Sequence, residues 1–411
     1  MGTPTRRRRA AALTAAALLI GCRPVAEQTS KHPASGAPAI TEVRLPGRPF
    51  QALPTRDGKW ILVSLPQTDS GKPGIAVLKR TAGTASLVRL VPLDAPPTGM
   101  VLTHDGKLLI AAANERLAFL DVARLVDGGP GKVLGYLDET RAGTRLARVY
   151  ANVSPDDRYL FSSDERARTI TVVALEEARA SHYSASAIVG TIPVGNAPID
   201  LAFSKDGRTL FSTSQAMPPR FGWPLECRRE GTSPGTPPSH TQGAIGVIDV
   251  ARAEKDPAHS VVRFVPAGCN PVRLVLSPRG DVAYVSARGD DALLAFDTER
   301  LVSDPGHALF GRVPVGPSPV GVAVFDSGRR VLVTSSDRFA GHADDRQPVY
   351  VVDATRIAAG AKAVLGTLTA GAFPRELRVT ADGKTLLLTN FRSKTLELVD
   401  LTHLPLAPIA H

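Results

Sequence analysis

The sequence predicts an all-β chain folded as a seven-bladed β-propeller, with four antiparallel strands per blade and an N-terminal strand closing the last blade. Three observations carry this reading. A strand–turn–strand unit occurs seven times, its period is near fifty residues, and a segment near the N-terminus matches the one element the last copy lacks.

The repeated hairpins are LPTRDGKWILVS (53–64), LTHDGKLLIAAA (102–113), VSPDDRYLFSSD (153–164), FSKDGRTLFSTS (203–214), LSPRGDVAYVSA (276–287), VFDSGRRVLVTS (324–335) and VTADGKTLLLTN (379–390). Anchored at Gly58, Gly106, Asp157, Gly207, Gly280, Gly328 and Gly383, the spacings are 48, 51, 50, 73, 48 and 55. Asp-Gly between alternating apolar runs is a hairpin signal, because Gly and Asp tolerate the positive φ such a turn needs. A third strand follows each hairpin, for example RLAFLDV (116–122) and AIGVIDV (244–250), and an outer fourth follows six of them. The seventh copy ends near Asp400 with little chain left for its outer strand, while TEVRLPGRP (41–49) resembles the outer strands elsewhere. Residues 41–46 are therefore expected to complete the last blade and protect its edge.

Composition agrees with one packed domain. Of 411 residues, 43% are apolar and 21% charged, which excludes a wholly disordered chain; 36 Gly and 34 Pro spread along it favour turns over long helices. The formal charge is +10, from 49 Lys plus Arg against 39 Asp plus Glu, and falls to +6 without Arg6 to Arg9. That modest charge, with aromatics at 5%, weighs against nucleic-acid binding.

The N-terminus reads as an export signal. Arg6 to Arg9 lead into an eleven-residue apolar run, Ala10 to Ile20, about half of what a bilayer core of ~30 Å requires. The run ends in Leu19-Ile20-Gly21-Cys22, which resembles a bacterial lipobox with Cys22 as the acylated residue. The expected organisation is a lipoprotein signal peptide over 1–21, a Pro/Ser/Ala-rich tether over 22–39, and a single propeller over 40–411. The expected address is the periplasmic or extracellular face of the cell membrane or outer membrane, held by a lipid anchor.

The units resemble the YVTN-repeat (YncE-like) family of seven-bladed propellers. The matching residues are Gly195/Pro198, Gly268/Pro271, Gly316/Pro319 and Gly371/Pro374, with the aspartates Asp121, Asp249, Asp297, Asp353 and Asp400 after the third strands. Gly47-Arg48-Pro49 is one residue short, the second and third blades lack the Gly-x-x-Pro pattern, and Lys79 and Ala174 replace the aspartate in the first and third. The resemblance spans about residues 40–403 and implies an exported propeller. Some seven-bladed relatives are lactonases and others act beside redox enzymes. The matching positions are turn and core residues, so they imply nothing about activity.

Motifs for catalysis are absent from the sequence. Asp57, Asp105, Asp156, Asp206 and Asp382 recur once per unit where a turn wants Asp, and the aspartates after the third strands are expected to accept backbone N–H groups. No metal-binding, haem-attachment, nucleophile-elbow or nucleotide-binding spacing occurs, so no catalytic residue, metal site or cofactor is assigned. His342 lies near Asp337, Asp344 and Asp345 in a long loop between the second and third strands of the sixth unit, read as a solvated loop rather than a divalent-metal loop.

The fourth unit departs from the period through an insertion at about 215–242, which contains Trp223 and Cys227. It lies between that unit's second and third strands. Propeller geometry places such loops on the same face as the turns leaving each blade, where Cys269 falls. An exported chain keeps disulfides, so a Cys227–Cys269 bridge is expected. The same face is expected to gather Arg48, Arg148, Arg273 and Arg375 near the channel, with Arg288 and Arg392 in its loops. Converging guanidinium groups suit a carboxylate, a phosphate or an acidic partner. The sequence thus reads as a monomeric, noncatalytic binding or scaffold module for a protein, peptide or envelope polymer. The alternatives are a lactonase-type hydrolase at the channel mouth and an accessory to a periplasmic redox enzyme.

Overall fold

The computed structural model describes residue 2 and residues 40–404, apart from 82, 140–144, 234 and 340–344. Seven four-stranded antiparallel sheets follow one another in chain order, as the repeats require. Each is a blade, with strands A to D running from the channel outward. Blade 4, for example, comprises A (Asn196–Phe203), B (Thr209–Ala216), C (Ala244–Asp249) and D (Val261–Pro266). In blade 7, Pro374–Val379, Thr385–Asn390 and Thr395–Asp400 are joined by Ile40–Arg44, with Ile40 opposite Val399 and Arg44 opposite Thr395. Leu45 then packs with Leu387, Leu396 and Leu398 of blade 7 and with Ile61 and Leu78 of blade 1. The first and last blades are locked together in this way.

The core is distributed over the seams. Apolar clusters lie between successive blades, for instance Phe161, Ile170 and Val172 of blade 3 against Leu201, Leu210 and Ile248 of blade 4. A single blade cannot bury both faces, so each seam completes two of them. Hydroxyl groups add a polar thread near the channel. Ser163, Thr213, Ser286 and Thr389, all on B strands, donate to the carbonyls of Ile199, Val272, Val320 and Phe50 in the next blade, at 2.7, 2.8, 2.8 and 3.1 Å. The last of these again closes the ring.

One face of the disc is regular. All seven turn anchors named above have positive φ, between 57° at Asp157 and 89° at Gly328. In five A–B turns a Ser or Thr two residues earlier donates to the aspartate at 2.6 Å: Thr55, Thr103, Ser154, Ser204 and Thr380 to Asp57, Asp105, Asp156, Asp206 and Asp382. The same hydroxyl bond lowers the pKa of Asp57, Asp105, Asp206 and Asp382. The aspartates after strand C behave as expected and also do more. Asp121, Asp249 and Asp297 accept from the amides of Arg124, Arg252 and Arg300 at 2.9, 2.9 and 3.0 Å. They cap short helices at Val122–Asp127, Val250–Ala253 and Thr298–Ser303, which the strand-only reading did not include. Blade 3 forms the equivalent helix, Leu175–Ala180, from Ala174 without a side-chain cap.

The opposite face is irregular. The insertion of blade 4 contains a short ribbon, Leu225–Cys227 paired with His240–Thr241, and Cys227 is disulfide-bonded to Cys269 with their Cα atoms 5.5 Å apart. Among the described residues no helix is long and apolar enough to cross a membrane. Cys22 lies outside the described residues.

Candidate functional site

The starts of the A strands divide the channel into two layers. An apolar plug is formed by Phe50, Val149, Ile199, Val272 and Val320, with Tyr150 tucked beside Phe50 at 5.5 Å between ring centroids. Arg375 occupies the corresponding position in blade 7. The next residue along each strand makes a second ring: Gln51, Met100, Tyr150, Asp200, Arg273, Gly321 and Glu376. The register is fixed by B-strand hydroxyls, since the amides of Gln51, Asp200, Arg273, Gly321 and Glu376 donate to Ser64, Thr213, Ser286, Thr334 and Thr389.

On the insertion side, the plug bears a shelf of three arginines on three phenylalanines. The Arg375 guanidinium lies 4.2 Å from the Phe50 ring, 5.5 Å from Phe391 and 5.7 Å from Phe373. Arg48 stands 5.6 Å from Phe391, and Arg392 stands 5.8 Å from Phe373. Guanidinium groups stacked this way can still donate through their N–H edges, as Arg392 Nη2 does to the Arg338 carbonyl at 2.8 Å. Burial pulls the Arg375 pKa down to about 10, with Glu165 opposing, so it remains cationic at neutral pH. Burial in turn pushes the Glu165 carboxyl up, against the pull of Arg375 and Arg288. Glu165 and Arg375 share a recess of about 360 Å³ with Phe50 and Arg148.

Glu230 holds the insertion over this shelf. Its carboxylate, 9% exposed, accepts from Arg288 Nε at 2.5 Å, Arg338 Nη2 at 2.5 Å and Asn270 Nδ2 at 2.9 Å. One acid in the insertion thus reaches loops of blades 5 and 6. Phe221 meets Phe264 of the outer strand of blade 4 at 5.2 Å, so the insertion also grips the rim. Phe221, Leu225 and Phe339 stay exposed.

The expected arginine set therefore splits. Arg48, Arg375 and Arg392 converge, and Arg288 is engaged by the insertion. Arg148 is buried and pairs with Glu139 and with Thr171 Oγ1 at 3.1 Å. Arg273 is buried on the other side of the plug, 3.8 Å from the Tyr150 ring and bonded to Glu376 at 2.5 Å. Trp223 is half-buried within the insertion, and His342 lies outside the described residues. Among the described residues no cluster of His, Cys, Asp and Glu is placed to hold a metal ion.

Sequence reading missed several groups. Phe373 and Phe391 were legible in principle, as aromatics in two adjacent loops of an aromatic-poor chain. Asp200 and Glu376 interrupt apolar A strands (PIDLAF and PRELRV), which was a signal left unused. Burial raises Asp200 to about 7 and raises Glu376 as well. Glu397, on strand C of blade 7, is likewise raised by burial to about 7, with Arg346 at 3.6 Å as its nearby cation.

Fold and channel define a seven-bladed β-propeller, an architecture suited to a binding or scaffold role. Among solved structures, the chain is similar to Kuenenia stuttgartiensis hydrazine synthase, at 16% identity and a TM-score of 0.63, covering 88% of this chain and 98% of that one. It is also similar to the Cps50 (Swd1) β-propeller domain of Myceliophteria thermophila, at 12% identity and a TM-score of 0.61, covering 88% and 99%. At these identities the likeness is one of fold. No family model matches the chain, and no curated protein matches it.

Proposed function

We propose that the chain is an exported lipoprotein of the YVTN-repeat type. Its propeller acts as a noncatalytic binding module for an acidic segment of a protein, peptide or envelope polymer. One observation carries the reading: a disulfide-pinned insertion, tied down through Glu230, beside a shelf where Arg48, Arg375 and Arg392 stack on Phe50, Phe373 and Phe391. Cations held on aromatic faces are preorganised for carboxylate or phosphate acceptors, and exposed Phe339, next in sequence to the Arg338 whose carbonyl accepts from Arg392, supplies apolar area beside them. The lipobox at Cys22 and the tether after it would hold that face within reach of envelope components.

The test is affinity capture from crosslinked native membranes with the full chain as bait, beside an Arg48→Glu/Arg392→Glu variant of unchanged circular dichroism. A partner retained by the parent and lost by the variant supports the module and its face. The same capture in both lanes, or none in either, overturns it. Incorporation of labelled palmitate that disappears in Cys22→Ala checks the anchor separately.

A further inference from the structure

The recess of about 360 Å³ beside the shelf holds two opposite charges that do not meet. Glu165 lies in the B–C loop of blade 3, where its amide donates to the Ala147 carbonyl at 3.0 Å. Arg375 comes from the start of strand A in blade 7. Both side chains line the recess, and both residues are half-buried, so neither is sealed from a ligand. Among the described residues the Glu165 carboxylate and the Arg375 guanidinium make no hydrogen bond and no ion pair within 4.0 Å, with each other or with any other group. Stacking helps to keep the gap open. Arg375 rests on Phe50 at 4.2 Å, Phe391 at 5.5 Å and Phe373 at 5.7 Å, and a move toward Glu165 would loosen those contacts. The other cations nearby are already spent. Arg148 borders the recess, but its side chain is wholly buried and pairs with Glu139. Arg288 is bonded to Glu230. The accessible apolar wall is formed by Pro66, Pro96 and Ala147. An anion alone would meet repulsion from Glu165, and a cation alone would meet it from Arg375. A ligand carrying both charges gains a charge-assisted bond at each end. The end of a peptide chain brings one of those charges, whereas a free amino acid brings both.

We propose that this recess binds a free α-amino acid, its carboxylate accepting from the Arg375 guanidinium, its ammonium donating to the Glu165 carboxylate, and an apolar side chain lying against Pro66 and Pro96. The volume suits a small molecule, since such sites run from about 300 to 1,000 Å³. The inference goes beyond the capture of an acidic segment. Glu165 takes no part in that reading, and neither Arg48 nor Arg392, on which its test rests, lines the recess.

The experiment is a ¹⁹F NMR titration of the full chain with 4-fluorophenylalanine. N-acetyl-4-fluorophenylalanine, which keeps only the carboxylate, and 4-fluorophenethylamine, which keeps only the ammonium, are titrated in parallel. The amino acid is expected to bind about ten-fold or more tightly than either analogue, as one charge-assisted bond predicts. Glu165→Gln should erase its advantage over the N-acetyl analogue and leave its advantage over the amine. Arg375→Gln should do the reverse. Each variant is first checked for the parent's circular dichroism, and because the two exchange opposite preferences, a general loosening of the fold cannot mimic the pair. The Arg48→Glu/Arg392→Glu variant should bind the amino acid as the parent does, so this site and the acidic-segment reading can fail separately. Equal binding of the amino acid and either analogue, an ammonium preference retained in folded Glu165→Gln, loss of amino-acid binding in Arg48→Glu/Arg392→Glu, or unshifted signals for all three probes at millimolar concentration would each overturn the proposal.

Discussion

The two faces of the disc are built by opposite means. The A–B and C–D face is written by the repeat: a hydroxyl-to-aspartate bond closes the turn, and an aspartate caps the short helix. Each device is local, so losing one leaves its neighbours intact. The B–C and D–A face is written once. Its insertion depends on a disulfide and on Glu230, which joins three loops. Repetition gives the first face redundancy and leaves it alike from blade to blade. The second face gains individuality from contacts that have no duplicate.

Changes at each level should separate these designs. The largest effect is expected from deleting residues 40–44, which opens the ring beneath both faces; the melting temperature should fall by about 10 °C or more, measured by calorimetry. An unchanged melt would refute closure by this strand. Next comes Cys227→Ser/Cys269→Ser. Loop-closure entropy over a separation of 42 residues sets an upper bound of about 4 kcal/mol. Cleavage in limited proteolysis should concentrate in 218–240, and uniform loosening would contradict a locally pinned insertion.

Asp200 tests the core between the faces. Its folded-state pKa, about 7, lies above the ~3.9 of an unfolded aspartate, so the stability it contributes is complete below that lower value and is lost as pH rises toward 7. Asp200→Asn should therefore gain on the parent between pH 5 and 8, on the order of 2 kcal/mol in urea unfolding, allowing for partial solvent access. A pH-independent difference would argue against a buried carboxyl. Glu230→Gln should cost about 1–2 kcal/mol and raise hydrogen exchange in the insertion alone. The smallest change is a gain. Ala174→Asp supplies the cap that blade 3 lacks and should add about 0.5–1 kcal/mol; no gain would mean that the regular face does not depend on its caps.

Blade number, turn positions, ring closure and the disulfide were legible in the sequence, because each is encoded by residues close together or by a pattern that repeats. The short C–D helices were not, although their capping aspartates were noticed, since one side chain serves equally as a turn residue or a helix cap. The division of the arginines was partly legible in the spacing of each from its proline. Register shifts occur within the A strands, between Pro271 and Leu274 and between Pro374 and Glu376 among others. Both strands carry the same shift, so it does not separate the two arginines; their offset does, since Arg273 is the second residue after Pro271 and Arg375 the first after Pro374. Arg273 and Arg375 look equivalent near the starts of their strands, yet they stand one position apart in the layers and face opposite ends of the channel. The grouping of Phe50 with Phe373 and Phe391 needs the ring closed, which brings residues more than 300 positions apart together.

That closure also sets a timetable. Ile40–Arg44 is synthesised long before its partner Thr395–Asp400. Until that partner emerges, and through any threading across a membrane, the opening strand has no mate. Its alternating exposed and half-buried positions, with Glu42 and Arg44 facing outward, leave it a charged and poorly adhesive ribbon during that wait. The slowest productive step of maturation should then be the meeting of the two ends.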